Sequence, residues 1–371
     1  MAETRHVVVI GAGSAGLSMA LSLRDRGRRV LVVDKADQVA AAWRGRYDRL
    51  RLNTGRQFSH LPGRPYPKGT PIFPTRDQVV AHLQRHSREE GIELQLNAQV
   101  AQLDSAPSGW RLRTSCGDVD ARHVVVATGN QNVPHIPDWA GKDLFEGELL
   151  HTSAYRNAAP YAGKRVLVIG CGSSGMEIAH ELATGGAAET WLTVRTPPNI
   201  MLRTGPGGLP GDVLASPLYR APTWFADAFS RFGRRRSIGD LSAFGLPIPE
   251  EGPFTRLKRG TVPSLVDMDV IDAVRDGSIE VVATIEGFDG NAVRLLDGRR
   301  LEPDAVICAT GFRRGLEPLV GHLGVLDERG MPRAQGVRPA ANGLWFLGYM
   351  TRPSLIAAVG KQSRRLAKHI G

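Results

Sequence analysis

The sequence predicts an α/β protein in which one strand–loop–helix unit is used twice, the second copy inserted into the domain that carries the first. Three observations lead there. Val7–Gly16, VVVIGAGSAG, and Val166–Gly175, VLVIGCGSSG, each set G-x-G-x-x-G between an apolar β-rich run and a helix-like segment. Most strand-like runs are continuous in Val, Ile and Leu without alternation, as in parallel strands buried on both faces. Finally, VICATGF at Val306–Phe312 looks like a counterpart of VVVATGN at Val124–Asn130, so the chain leaves its first unit and returns. The expected architecture is two Rossmann-like dinucleotide-binding domains, with residues 1–155 opening the first, 156–300 forming the second, and 301–371 completing the first.

The elements follow in order. Strands are expected at His6–Ile10, Arg29–Val33, Arg122–Ala127, Arg165–Ile169, Thr190–Val194, Ala305–Ala309 and Leu344–Leu347. Helical periodicity follows each glycine loop, at Ser14–Arg26 and Ser174–Thr184, and recurs at Thr75–Glu89 and Ser354–Ile370. Leu61–Pro74 and Thr204–Pro217 are rich in Pro and Gly but contain apolar residues, which predicts ordered loops rather than linkers. Trp224-Phe225-x-x-x-Phe229 has helical spacing, suited either to a substrate-facing helix or to a plain core helix; the other tryptophans read as core or anchoring aromatics.

A chain of 371 residues is long enough for two ordinary cores. Its N-terminal apolar run is a strand broken by Gly11 and Gly13 rather than a secretion signal, and no run is long enough to span a membrane. Cys116, Cys171 and Cys308 are far apart and form no C-x-x-C, which argues against a redox dithiol and fits a reducing cytoplasm. The net charge of +10 comes mainly from arginines along the whole chain. The one dense run, Arg234–Arg236, has no nucleic-acid-binding motif beside it, so anionic cofactors account for the charge better than nucleic acid does.

The residue ending the strand after each glycine loop differs. After the first loop that strand ends in Asp34, placed to accept hydrogen bonds from the hydroxyls of an unphosphorylated adenosine ribose. After the second it ends in Arg195, whose guanidinium suits a 2′-phosphate that an acid would repel. The expected ligands are FAD or NAD in the first site and NADPH in the second. A retained flavin upstream and an exchangeable reductant downstream make sense of the order. In each loop the first Gly makes the turn, the second admits the pyrophosphate, and the third lets helix and strand pack closely.

With these residues in view, the sequence resembles the class B flavin-dependent monooxygenases, and among them the YUCCA-type enzymes and short bacterial relatives. Phe145–Tyr155, FEGELLHTSAY, fits the family fingerprint F-x-G-x-x-x-H-x-x-x-Y/F at every fixed position. Baeyer–Villiger members end that fingerprint in W-P, whereas Tyr155-Arg156 stands here. Further matching segments are AAWRGRYDRLRLN at Ala41–Asn53, FPTRDQVVAHLQRH at Phe73–His86 and GLWFLGYMTRPSLIAAVG at Gly343–Gly360. The match thins over Gly205–Arg259.

The resemblance implies roles for named residues. Gly11, Gly13, Ser14 and Gly16 would hold the FAD pyrophosphate, Asp34 and Lys35 its ribose region, and Val100 its adenine edge. Trp43, Arg44, Thr128 and Gly129 would lie beside the flavin. Gly170, Gly172, Ser173, Ser174, Gly175 and Arg195 would bind NADPH. Asn53 aligns with an asparagine that faces flavin and NADP in heteroatom-oxidising members, where the YUCCA-type pattern has His; it is the candidate catalytic residue. His151 reads as fixing the connection between domains rather than moving protons. Asp34 departs from the usual Glu by one methylene, and VAAA precedes Trp43 where many relatives have Gly-Gly.

The implied chemistry is hydride transfer from NADPH to FAD, then O₂ addition giving a C4a-(hydro)peroxyflavin that oxygenates a small lipophilic sulfide, amine, ketone or 2-oxo acid. The protein orients the cofactors and excludes water. The expected partners are therefore a small-molecule substrate and O₂, without nucleic acid or membrane, and a homodimer is left open. A reductase or oxidase without oxygen insertion is the alternative; the missing C-x-x-C and the matching fingerprint weigh against it.

Overall fold

The computed structural model describes residues 5–370. The chain opens with β1 (Arg5–Ile10), the first glycine loop and α1 (Ser14–Arg24), then β2 (Leu31–Val33). After α2 (Arg76–Glu89) come β3 (Glu93–Gln95), β4 (Val100–Ala106), β5 (Gly109–Thr114) and β6 (Val119–Val126). They form one sheet in the order β3-β2-β1-β6-β5-β4, parallel through β3, β2, β1 and β6 and antiparallel through β6, β5 and β4. The Thr75 side chain and Gln78 form a reciprocal cap at the start of α2, which fixes where the helix begins.

A second, wholly parallel sheet follows, built from β7 (Glu148–His151), β8 (Arg165–Ile169) and β9 (Glu189–Thr193) with later strands. The second glycine loop leads from β8 into α3 (Ser173–Thr184). Beyond β9, β10 (Ile200–Leu202) pairs in parallel with β11 (Ser264–Val266), and the excursion between them carries α4 (Gly211–Leu218), α5 (Thr223–Ser237) and α6 (Pro253–Lys258). Then α7 (Met268–Arg275), β12 (Glu280–Val282) and β13 (Ala305–Cys308) complete the sheet in the order β12-β9-β8-β13-β7. The chain returns as β14 (Leu344–Phe346), which pairs with β6 of the first sheet, and ends in α8 (Leu355–Leu366).

The central strands are apolar because both of their faces are covered. In β1, Val7 and Val9 join a cluster with α1 and α8, while Val8 and Ile10 join another on the opposite face. Leu17, Met19, Leu21 and Leu23 of α1 are fully buried, each contributing roughly 2 kcal/mol of hydrophobic stabilisation. Ser22 and Ser363 bond to each other at 2.9 Å where α1 meets α8.

Three expectations change. The second sheet starts earlier and ends later than 156–300, because β7 and β13 both pair within it; their short apolar runs carry no mark of which sheet they join. The segment expected as a loop over Thr204–Pro217 contains most of α4, which ends one residue after Pro217, a residue that cannot donate to the preceding turn. Trp224, Phe225 and Phe229 are not core: they stand 74%, 45% and 51% exposed on α5. Among the described residues no helix is long and apolar enough to cross a membrane, and no cluster of side chains could hold a metal ion.

Candidate active site

The two glycine loops have the same construction. Gly11 has φ +111°, and a Cβ there would lie 2.6 Å from the Ala127 carbonyl oxygen. Gly170 has φ +108°, and its Cβ would lie 2.7 Å from that of Ala309. The Ala-Thr-Gly turns after β6 and β13 therefore close the two loops in equivalent ways. A Cβ on Gly16 would fall 1.7 Å from Gly11 O, and one on Gly175 1.8 Å from Gly170 O, so only glycine lets each helix start against its strand. Gly13 and Gly172 are different: a Cβ on either meets nothing within 4 Å. Each precedes a helix N-terminus whose first-turn N–H groups have no intrahelical acceptor. Open space before a helix start is a cradle that fits a pyrophosphate.

Around the first loop, Asp34 accepts hydrogen bonds from Ala12 N at 2.5 Å and Ala36 N at 2.8 Å. Its carboxylate is thereby fixed beside the loop, its shorter side chain notwithstanding. Lys35 is exposed and bonds Asn132, and half-buried Val100 opens β4 two residues beyond Ala98, whose N–H donates to Asp34 O. Trp43 donates its indole N–H to Ser14 Oγ at 3.1 Å, and Arg44 bonds Val39 O. Both Thr128 N and Thr128 Oγ1 bond the hydroxyl of Tyr349, which is fully buried and pushed up to about 12 by that burial. Gly129 follows at φ +83°.

Around the second loop, Ser173 Oγ accepts from Leu265 N at 2.8 Å and Ser264 Oγ donates to Cys171 O at 2.7 Å, tying the loop to β11. Arg195 lies two residues beyond β9, exposed and close enough to act electrostatically on the Cys171 thiol. The three cysteines are free.

Between the two units lies a polar seam. In the segment Arg51-Leu52-Asn53, Leu52 is buried and its N–H donates to Pro74 O, so Arg51 and Asn53 project to the other side. Asn53 Oδ1 accepts from Arg203 Nε at 3.2 Å. Arg203 follows β10, is only 3% exposed, and donates to Asp267 at 2.6 Å and to Glu177 on α3. Glu177 also accepts from the Tyr47 hydroxyl, beside Ser174; burial holds that phenol up at about 12. Two routes thus connect the second loop to Asn53, one through α3 and one through β11 and β10, and they meet at Arg203.

A cavity of about 420 Å³ opens on this seam, lined by Arg51, Phe73, Leu202, Arg203, Thr204, Asp267, Met268 and Asp269. Two residues past Asn53, Gly55 N donates to buried Asp212 on α4, which also accepts from Ser354; burial raises the Asp212 carboxyl above its ordinary range. Sequence reasoning missed Arg203, Glu177, Asp267 and Asp212. Their one sequence signal is a charged residue adjoining or inside an apolar run, and the partners are far away along the chain.

His151 is buried; its Nε2 donates to Gly311 O at 2.8 Å and its Nδ1 accepts from Ser153 N at 3.1 Å. Both nitrogens are used by backbone, and burial lowers its pKa, so it stays neutral at the crossing between sheets.

The profile of the pyridine nucleotide-disulphide oxidoreductase family matches residues 8–201, more than half of the chain. Indole-3-pyruvate monooxygenase YUCCA1 of Oryza sativa subsp. japonica is 34% identical, over 93% of this chain and 86% of its own length. The probable indole-3-pyruvate monooxygenase YUCCA3 of Arabidopsis thaliana is 33% identical over 95% and 83%. Among solved structures, a flavin-containing monooxygenase from Stenotrophomonas maltophilia aligns with TM-score 0.76 and 26% identity over 99% of this chain and 98% of that one. OTEMO in complex with FAD and NADP shares the fold at TM-score 0.78 and 20% identity, over 100% of this chain and 84% of that one. Two cradled glycine loops, the fingerprint over Phe145–Tyr155 and relatives matching nearly end to end agree: the chain belongs to the class B flavin-dependent monooxygenases, enzymes that use FAD and NADPH.

Proposed function

We propose that the protein uses NADPH and O₂ to oxygenate a small lipophilic molecule, with aromatic 2-oxo acids as the first substrate class. In this reading the two sheets are two dinucleotide-binding domains, and the NADPH domain interrupts the FAD domain. Gly11, Gly13, Ser14 and Gly16 hold the FAD pyrophosphate, Asp34 and Lys35 its ribose, and Val100 borders its adenine. Trp43, Arg44, Thr128 and Gly129 border the flavin ring. Gly170, Gly172, Ser173, Ser174 and Gly175 hold NADPH, and Arg195 takes its 2′-phosphate.

Bound FAD supplies hydride acceptance and oxygen activation, chemistry that no protein side chain offers. The chain's own part is to position, to keep water out and to donate hydrogen bonds. Asn53 is the residue in this reading that faces the reacting atoms. Its carbonyl oxygen is engaged by Arg203, which leaves the amide N–H groups as donors toward the site.

The observation that carries the reading is the pair of open cradles at Gly13 and Gly172, one at each glycine loop, with Asn53 tied to the second unit through Arg203. The curated relatives support the 2-oxo acid, as they are named for indole-3-pyruvate. Arg51 supports it too: it lines the cavity beside Phe73, Leu202 and Met268 and makes no ion pair among the described residues. A second reading, oxygenation of sulfides or amines, is favoured by one residue, Asn53.

The test compares indole-3-pyruvate with a methyl aryl sulfide while NADPH, O₂, hydrogen peroxide and product are all followed. The reading expects oxygenated product from the 2-oxo acid, with KM raised in Arg51→Ala for that substrate and unchanged for the sulfide. NADPH consumption that yields peroxide alone with both substrates would instead support an oxidase.

A further inference from the structure

The excursion between β10 and β11 ends in a surface that neither nucleotide site uses. Trp224, Phe225, Phe229 and Phe232 stand 74%, 45%, 51% and 62% exposed on α5. At 3.6 residues per turn they fall within an arc of about 140°. The opposite face is occupied: Ala226, Asp227 and Arg234 are buried, and Ala226 clusters with Phe254 and Leu257 of α6. Asp227, the single carboxylate on the helix, points inward and accepts from Phe254 N at 2.7 Å and Thr255 Oγ1 at 2.5 Å. The outer face therefore has no negative charge of its own.

Exposed Arg231 stands at one edge of the aromatic arc, exposed Arg235 and Arg236 continue the same face at the C-terminal end of the helix, Arg236 over the Phe232 ring, and none makes an ion pair among the described residues. Lys258 Nζ donates to Thr223 Oγ1 at 2.8 Å, adding a cation at the start of the helix. Arginines in a last turn complement the helix dipole, but that leaves four exposed rings unexplained. Rings on one face, with arginines carrying that face on to the helix end, are what the boundary of an anionic bilayer accommodates: the rings enter the headgroup region and the long guanidinium side chains reach lipid phosphates. A second copy of this chain fits less well. A two-fold pairing of α5 with itself would offer these arginines no carboxylate, since the one acid of the helix is turned inward.

We propose that α5 docks the enzyme on the surface of an anionic lipid bilayer, lying in the headgroup plane with its aromatic arc inserted. This departs from the sequence expectation of no membrane partner: no helix among the described residues spans a membrane, yet this face would rest on one.

The test is co-sedimentation of the holoenzyme with phosphatidylcholine vesicles, with and without about one-third phosphatidylglycerol. The protein should sediment with the anionic vesicles only, and added salt should release it. Each removed arginine should weaken partitioning about fivefold, so Arg235→Gln with Arg236→Gln should lower it by about 25-fold. Trp224→Ser with Phe232→Ser should release it as well. FAD content and NADPH consumption, which do not involve α5, should stay at wild-type values and certify that both double variants are folded. Failure to bind anionic vesicles overturns the proposal, as does binding that survives either double substitution. Survival of the aromatic variant would mean diffuse charge attraction rather than a docked helix. A dimer dissociated by the aromatic substitutions in light scattering would assign the face to a second copy instead.

Discussion

Replacing Arg203 by methionine tests the seam. The guanidinium is 3% exposed and holds Glu177, Asp267 and Asn53 together. Breaking a buried ion pair by removing one partner costs about 3–5 kcal/mol, because the other charge is left behind. Here the orphans differ. The Glu177 side chain is 15% exposed and stays largely dehydrated, while that of Asp267 is 41% exposed and regains water. Discounting the Asp267 share toward the value of a surface pair leaves about 3 kcal/mol. At roughly 1.3 °C per kcal/mol for a chain of this size, the holoenzyme should melt about 4 °C lower. Adding Glu177→Gln should restore part of the loss, because the uncompensated charge disappears.

The same variant should also lower the yield of product per NADPH consumed, by freeing the Asn53 amide. In a double-mutant cycle with Asn53→Ala, Arg203→Met should cause no further loss of that yield, and the pair should couple in stability by about 1 kcal/mol. Calorimetry and product quantification supply both readouts. A melting change under about 1 °C, or strict additivity in the cycle, would refute the reasoning.

Three further outcomes are expected. Arg195→Ala should raise KM for NADPH by about 10- to 100-fold and leave that for NADH unchanged, since a charge-assisted contact to phosphate contributes about 1.5–3 kcal/mol; steady-state kinetics with both nucleotides decides. Asn53→Asp, which has no amide N–H to donate, should divert NADPH consumption toward peroxide; full coupling in that variant would remove Asn53 from the mechanism. His82 is stacked on Tyr66 at 4.2 Å, and burial lowers its pKa to about 3. The folded chain then binds fewer protons than the unfolded chain between pH 6.5 and 3, so stability falls with pH across that window, by up to about 1.4 kcal/mol per unit. Denaturation of His82→Phe should show a flatter acid limb.

The parts of the fold that repeat were legible, because their constraints are local. A Val-rich strand, a glycine turn and a helix start fall within ten residues, and the acid or arginine that follows sits at a fixed offset. The Ala-Thr-Gly turns were legible as a pair, and the crowding of Gly11 on Ala127 and of Gly170 on Ala309 gives the physical reason they recur. The hairpin of β4 and β5 escaped notice: its strands alternate polar and apolar residues at the sheet edge, whereas continuous runs were the signal sought. The sheet to which β7 belongs escaped too, since pairing with β13 is a contact over some 150 residues. Arg203 could not be recognised for the same reason. Asn53 is 150 residues away from it and Asp267 64, so no window along the sequence contains the site.

The account depends most on the two loops holding different nucleotides. At Gly13 (φ −85°) and Gly172 (φ −71°) the backbone is extended and a Cβ meets nothing, so valine at either position leaves the fold intact and fills only the cradle. The deciding measurement is the FAD released per chain on denaturing purified wild type, Gly13→Val and Gly172→Val. The account predicts an equimolar yield from wild type and Gly172→Val, with NADPH no longer bleaching the latter, and little FAD from Gly13→Val. Flavin retained by Gly13→Val, or lost from Gly172→Val, would contradict it.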